Sequence, residues 1–324
     1  MSLLRLIRAA LPCLLVTGLT MALGAAEAPA VFTLRTNDVV AFVGGSDVAA
    51  AQFTGHLEAL LAVKFPGARF RNFGWEGDTV FARPREIGFP PLREHLKRAG
   101  ATVVVLQFGR TEILNGKHDV PSFIAAYEKL LDDCGQQTPR LVLVTPPPFE
   151  RAGEPLPDLA GHNLNLSAQA QAIRALAQKR GLPLVDFFYE FHEMHHDTPR
   201  VTDNGLQISP AGHAHLAAAF ARQQGFMEIS ARAGAVNATG AWSNPQFENL
   251  RAIVMQKNRL WFDYWRPQNW AFLGGDRTSQ LSSRDHRDPK VRWFPAEMEK
   301  FRPLIAEKEQ EMERAAEALR GMKR

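Results

Sequence analysis

Gly44-Gly45-Ser46-Asp47 closes an apolar run, DVVAFVGG (38–45), and leads into a helical pattern. Glycines let the backbone turn sharply. The first turn of a helix offers N–H groups to a developing oxyanion. A serine at such a turn has the setting of a nucleophile, although the commoner use of Ser46 or Asp47 there is to cap the helix. A second stretch, HEMHHD (192–197), gathers imidazoles and carboxylates, and His192 with His196 has the i,i+4 spacing of two ligands on one helix face. No third ligand is assignable, so a solvated polar loop and no metal are expected. His162 precedes a long helix in a Pro-rich loop. His213 and His215 are expected on a helix surface, and Asp285 and Asp288 flank His286 and could orient its imidazole.

From residue 38 to about 223, short strand-like runs alternate with helical patterns. Short apolar or β-branched runs are expected as strands near 39–43, 69–73, 102–107, 140–144 and 183–187. Between them lie helical patterns: AQFTGHLEALLAVKF, PPLREHLKRAG closed by Gly100, SFIAAYEKLLDDC, and NLSAQAQAIRALAQKRG closed by Gly181. The last, SPAGHAHLAAAFARQQG, opens with Ser209 as cap and Pro210 in the first turn. Strands alternating with helices predict an α/β fold, a three-layer sandwich around a five-stranded parallel sheet. Ligands bind beyond the carboxyl ends of such strands. Beyond about residue 235 the alternation stops and five of the six tryptophans follow: Trp242, Trp261, Trp265, Trp270 and Trp293. ENLRAIVMQKNRLWFDYWRP reads as a helix stopped by Pro267, and a charged helix is expected from about Pro303 onward.

The chain has 324 residues, 45% hydrophobic and 22% charged, so disorder and a multispanning membrane protein are excluded. The 38 basic and 34 acidic residues interleave to a net charge of +4, with no basic cluster for nucleic acid. No G-x-G-x-x-G or G-x-x-x-x-G-K segment is present, which argues against nucleotide use. The first 26 residues have basic Arg5 and Arg8, an apolar stretch broken by Pro12 and Gly18, and small residues at Gly24, Ala25 and Ala26. They read as an export signal, not a membrane anchor. Its removal takes Cys13 and leaves Cys134 without an intramolecular partner. A periplasmic or extracellular protein with no membrane span is expected.

Four segments, each just after an expected strand, occur in a fixed order: VGGSDV, NFGWEGDTV, LQFGRTE and VTDNGLQISPAGH. In order and spacing they resemble the SGNH (GDSL-type) esterase and lipase superfamily over roughly residues 36–223. NFGWEGDTV is the most specific match, to the block N-x-x-x-x-G-D-T. The tail, with KNRLWFDYWRPQN and SRDHRDPKVRWFPAEM, resembles the C-terminal extension (235–324) of exported SGNH-like proteins from planctomycete-type bacteria.

The resemblance implies a serine hydrolase site. Ser46 takes the place of the nucleophile, and its N–H that of one oxyanion donor; the N–H of Gly77 is the second. The third donor is an asparagine in the family's G-x-N-D or G-x-N-E, and here Thr111 stands in that place, between Arg110 and Glu112. Arg110 is expected to be a solvated surface side chain. In the family's D-x-x-H, the acid position is Asn204 and the histidine position Gln207, with Asp203 one residue earlier. Glutamine cannot accept and return a proton at neutral pH. Of the remaining histidines, His286 and His196 are the candidates for a substitute base. Trp75 is assigned equally to pocket lining or core. The expectation is an exported hydrolase of ester bonds, acting on a small-molecule or polysaccharide ester without cofactor, with a degenerate acid/base pair. The opposing expectation is a non-catalytic descendant that binds a glycan or partner protein; a structural adaptor using the aromatic tail is a third.

Overall fold

Alternate residues of each strand point to opposite faces of a sheet, and both sets are apolar here. Val40, Val105 and Val144 enter one core; Ala41, Val104 and Leu143 enter another on the opposite face. Strands buried on both sides form a parallel sheet. The computed structural model describes residues 30–192 and 200–322. Its strands are β1 (Val39–Gly44), β2 (Arg69–Asn72), β3 (Val103–Gln107), β4 (Leu141–Thr145) and β5 (Leu184–Asp186), all parallel, in the order β2-β1-β3-β4-β5. Each lies within two residues of its expected place. The expected export segment and Cys13 lie outside the described residues, as do His195 and His196.

Helices α1 (Ser46–Ala51) and α2 (His56–Lys64) follow β1. A helix was expected over 51–65; the break comes at Gly55, whose φ of 70° is left-handed and whose absent Cβ would stand 3.1 Å from Val254 Cγ1. α3 (Leu92–Ala99) ends at Gly100, α4 (Arg110–Leu114) is a single turn after β3, and α5 (Val120–Gly135) carries the buried Cys134. α6 (Asn163–Arg180) ends at left-handed Gly181, and α7 (Phe187–His192) follows β5. α8 (Pro210–Gln223) begins as expected, with Ser209 Oγ accepting from Gly212 N–H at 2.8 Å. α2, α8 and α9 (Met227–Ala233) cover one face of the sheet; α3, α5 and α6 cover the other.

The C-terminal segment continues as α10 (Pro245–Trp265), α11 (Trp270–Leu273), α12 (Trp293–Glu299) and α13 (Phe301–Gly321). α10 runs along the outer edge of β2, where strand carbonyls would otherwise lack partners. Lys257 Nζ donates to Phe70 O at 3.1 Å and Trp261 Nε1 to Asn72 O at 2.9 Å. Leu250 and Val254 of α10 enter the core with α2, and Trp261 and Trp265 enter the core with α3. Among the described residues, no helix is long and apolar enough to cross a membrane.

Candidate active site

The strand order reverses direction between β1 and β3, the point where parallel sheets hold ligands beyond their carboxyl ends. Ser46 follows β1 and Thr111 follows β3, so both lie at that switch point. A cavity of about 540 Å³ opens there, lined by Ser46, Glu76, Asp78, Thr111, Asp203 and Gln207 among others. The four segments singled out in the sequence therefore meet in one place. Asp203, one residue before the acid position, lines the cavity as well. Phe53 and Leu114 are exposed apolar side chains in the same lining.

Ser46 is the first residue of α1, and Gly45, without a side-chain cap, takes the N-cap place. Ser46 is exposed, and no described residue hydrogen-bonds its hydroxyl or its N–H. A Cβ on Gly45 would stand 2.8 Å from Asp78 O and 3.1 Å from Thr111 Oγ1, so the first three segments touch at this point. Asn72 joins the first two segments more deeply: its Nδ2 donates to Val48 O at 2.7 Å and its Oδ1 accepts from Gly74 N–H at 2.7 Å.

The second segment makes a turn in which Asp78 N–H donates to Trp75 O at 3.1 Å. Gly77 sits in it at φ 79°, a left-handed value that favours glycine, with nothing within 4 Å of where a Cβ would be. Gly77 does not itself line the cavity; its neighbours Glu76 and Asp78 do. Its N–H has no acceptor among the described residues. Asp78 is buried and accepts two hydrogen bonds from Arg85, at 2.7 and 2.6 Å. Burial raises its carboxyl pKa against the opposing pull of Arg85. Trp75 is half-buried and packs edge-on against Trp265 and Phe89, in the outer part of the core.

In the third segment Glu112 is fully buried, accepting from Gly109 N–H and Val80 N–H, each at 2.8 Å. Burial pushes its carboxyl pKa up, and these backbone donors pull the other way. Arg110 departs from its expected surface position. It is 4% exposed, and its guanidinium donates to Asp47 Oδ1 at 2.9 Å and Leu206 O at 2.5 Å while lying 4.8 Å from the Phe149 ring. The cause is the meeting of the segments: Asp47 is in α1 and Leu206 in the loop before α8, and only the folded chain brings both to Arg110.

Asn204 and Gln207 pair with each other. Asn204 Nδ2 donates to Gln207 Oε1 at 3.2 Å, and Asn204 Oδ1 accepts from Gln207 N–H at 2.8 Å and Leu206 N–H at 3.1 Å. Asn204 thus fixes the loop and the side chain that lines the cavity.

Among the described residues no histidine lines this cavity. His213 is buried, not on the helix surface as expected; it lies close enough to His56 to oppose the charging of that imidazole. His215 is half-buried, and burial lowers its pKa. His162 packs beside Phe149 at 5.9 Å between centroids. His286 is strongly exposed, 3.9 Å from Asp285 Oδ1. Of the 192–197 cluster only His192 is described, stacked on Phe188 at 5.0 Å. Arg85 and Arg266, which flank the Gly77 turn, gave no sequence signal beyond the position of Arg266 just before Pro267.

In backbone the chain is similar to a gut microbial diltiazem-metabolizing enzyme, with TM-score 0.57 and 12% identity over 90% of this chain and 96% of that one. It is also similar to a catalytic mutant of the acetylxylan esterase Axe2 from Geobacillus stearothermophilus (TM-score 0.49, 19% identity, 60% of this chain and 97% of that one). A further similar structure is LAE5, an alpha/beta hydrolase enzyme from the metagenome of Lake Arreo, Spain (TM-score 0.46, 17% identity, 60% and 98%). At these identities the likeness is one of fold. A search of curated proteins finds no match. A model of the GDSL-like Lipase/Acylhydrolase family matches residues 39–215, more than half of the chain and all four site segments. The chain belongs to the GDSL-like lipase/acylhydrolase family.

Proposed function

We propose that this protein is an exported, ester-directed member of its family whose site lacks a working general base. Its ligands are acyl esters, carbohydrate acyl esters foremost. Turnover stays at the residual level that oxyanion donors and binding sustain. The observation that carries this reading is the hydrogen bond from Asn204 to Gln207, which lines the same cavity as Ser46. Attack by Ser46 Oγ on an ester carbonyl forms the Oγ–C bond and must release the hydroxyl proton to a base. An amide cannot take that proton near pH 7, so the hydroxyl stays weakly nucleophilic. The N–H groups of Ser46 and Gly77 and the Thr111 hydroxyl take the part of oxyanion donors. Loss of a triad base costs on the order of a million-fold in turnover. Export rests on the basic-then-apolar start of the sequence, and the resemblance of the tail supports a planctomycete-type subgroup.

A second reading, non-catalytic binding of an acylated glycan, is favoured by the same amide pair. Amide and hydroxyl groups at Gln107, Thr111, Asn115 and Gln207 suit the hydroxyls of a sugar. Calorimetric titration with an acetylated oligosaccharide, with acetate release followed in the same sample, tests both. Binding with slow release supports the first reading, and binding with none supports the second. No binding, or rapid release, overturns the proposal.

A further inference from the structure

We infer that Arg266, supplied by the C-terminal segment, is a positioning residue for the Gly77 turn, acting together with Arg85 through Trp75. The inference rests on the reading of the Gly77 N–H as an oxyanion donor. Two guanidinium groups lie over the Trp75 ring, Arg266 at 3.7 Å and Arg85 at 4.0 Å from its centroid. Each also holds one of the carboxylates that flank Gly77. Arg266 Nη1 donates to Glu76 Oε2 at 2.6 Å, and Arg85 donates to both oxygens of Asp78. The residues before and after Gly77 are thus tied to the same indole, one from each side of the turn.

The turn needs such a device. Nothing lies within 4 Å of where a Gly77 Cβ would be, so no packing on that side fixes its peptide plane. The Glu76–Gly77 peptide carries the N–H in question, and its direction follows from how Glu76 and Asp78 are held. A donor that serves a developing oxyanion must be oriented within about 10–20°. An exposed ion pair alone would hold Glu76 weakly. A planar guanidinium that also stacks on an aromatic face is far better ordered.

Arg266 is placed by the end of α10. Its backbone N–H donates to Phe262 O at 3.0 Å, and Pro267 then stops the helix. The neighbouring Trp265 is buried, 5.6 Å from Trp75 between centroids, and seats the helix end against the turn. The C-terminal helices therefore reach the rim of the cavity at Glu76.

The test combines amide hydrogen exchange on the full chain with kinetics in a background carrying Asn204→Asp and Gln207→His. Arg266→Ala is compared with Arg266→Lys, and with Arg259→Ala as a control on the same helix, where Arg259 pairs, among the described residues, only with the nearby Asp263. Arg266→Ala should raise exchange across residues 75–79 about tenfold, with an unfolding midpoint close to that of the control. In the restored background its kcat on p-nitrophenyl acetate should fall about tenfold with KM nearly unchanged, a part of the hundred- to thousand-fold lost when a donor is deleted. Arg266→Lys, which keeps the charge but not the planar stack, should recover part of both. Unchanged exchange in Arg266→Ala overturns the inference, and so does raised exchange with unchanged kcat. If the restored background is itself inactive, the reading of the site fails, and exchange alone still decides whether Arg266 holds the turn.

Discussion

Arg110 Nη1 donates to Asp47 Oδ1 at 2.9 Å and so ties the helix that begins at Ser46 to the turn that follows β3. The same guanidinium reaches Leu206 O, one residue before Gln207. A buried charge pair of this kind is costly to break from one side, because the partner is left uncompensated. Arg110→Met should destabilise the protein by about 3 kcal/mol in urea unfolding. Asp47→Asn, which keeps an acceptor, should cost about 1 kcal/mol. Equal and small losses for both variants would show that the pair is not a tie between segments.

Lys257 is the larger test of how the C-terminal helices join the sheet. It is fully buried and donates to Glu58 and to Phe70 O, while Asn258 Nδ2 donates to Glu58 Oε2 at 2.9 Å. Lys257→Met should cost about 3–5 kcal/mol, as for other buried pairs broken at one partner. Adding Glu58→Gln should recover at least about 1 kcal/mol of that loss. Strict additivity in this double-mutant cycle would mean that the two side chains do not sense each other.

Acid should loosen the fold through buried imidazoles. Burial pushes the pKa values of His56, His95 and His213 down to about 4, below the ordinary value near 6.5. Their contribution is present above about pH 6.5 and is lost as pH falls towards about 4, where the unfolded chain takes up protons that the folded one refuses. Asp78 and Glu112, with raised pKa values, act in the opposite sense by holding protons when folded. The histidine share is isolated by replacement. The urea midpoint should drop between pH 7 and pH 5, and it should drop less in His213→Gln. Parallel pH profiles for the two proteins would contradict the assignment of His213.

What the sequence made legible was local in origin. The strands were readable because unbroken apolar runs such as Val103–Leu106 fit a sheet buried on both faces. Gly100 and Gly181 marked helix ends because each takes the left-handed conformation there. The order of the four segments brought Ser46, Thr111 and Gln207 to one cavity. What the sequence hid depends on partners far along the chain. Gly55 breaks a helical pattern because α10 presses on it from 199 residues away at Val254. Arg110 looks like any surface arginine until Asp47 and Leu206 close on it. His213 is buried in a region that also receives the segment around Gly240, whose carbonyl lies 2.7 Å from His56 Nε2.

A site that retains its serine and oxyanion donors but has no working base, as proposed, leaves a distinct pattern in the initial rates of p-nitrophenyl acetate hydrolysis. Wild type and Ser46→Ala should differ by no more than about twofold, since an unactivated hydroxyl adds little. Asn204→Asp combined with Gln207→His should raise the rate about a hundredfold or more, and Ser46→Ala in that background should abolish the gain. Either single change should do much less, because the acid orients the base and the two act as a unit. A wild-type esterase whose activity disappears in Ser46→Ala would show instead that the site has a base and that another residue accepts the proton.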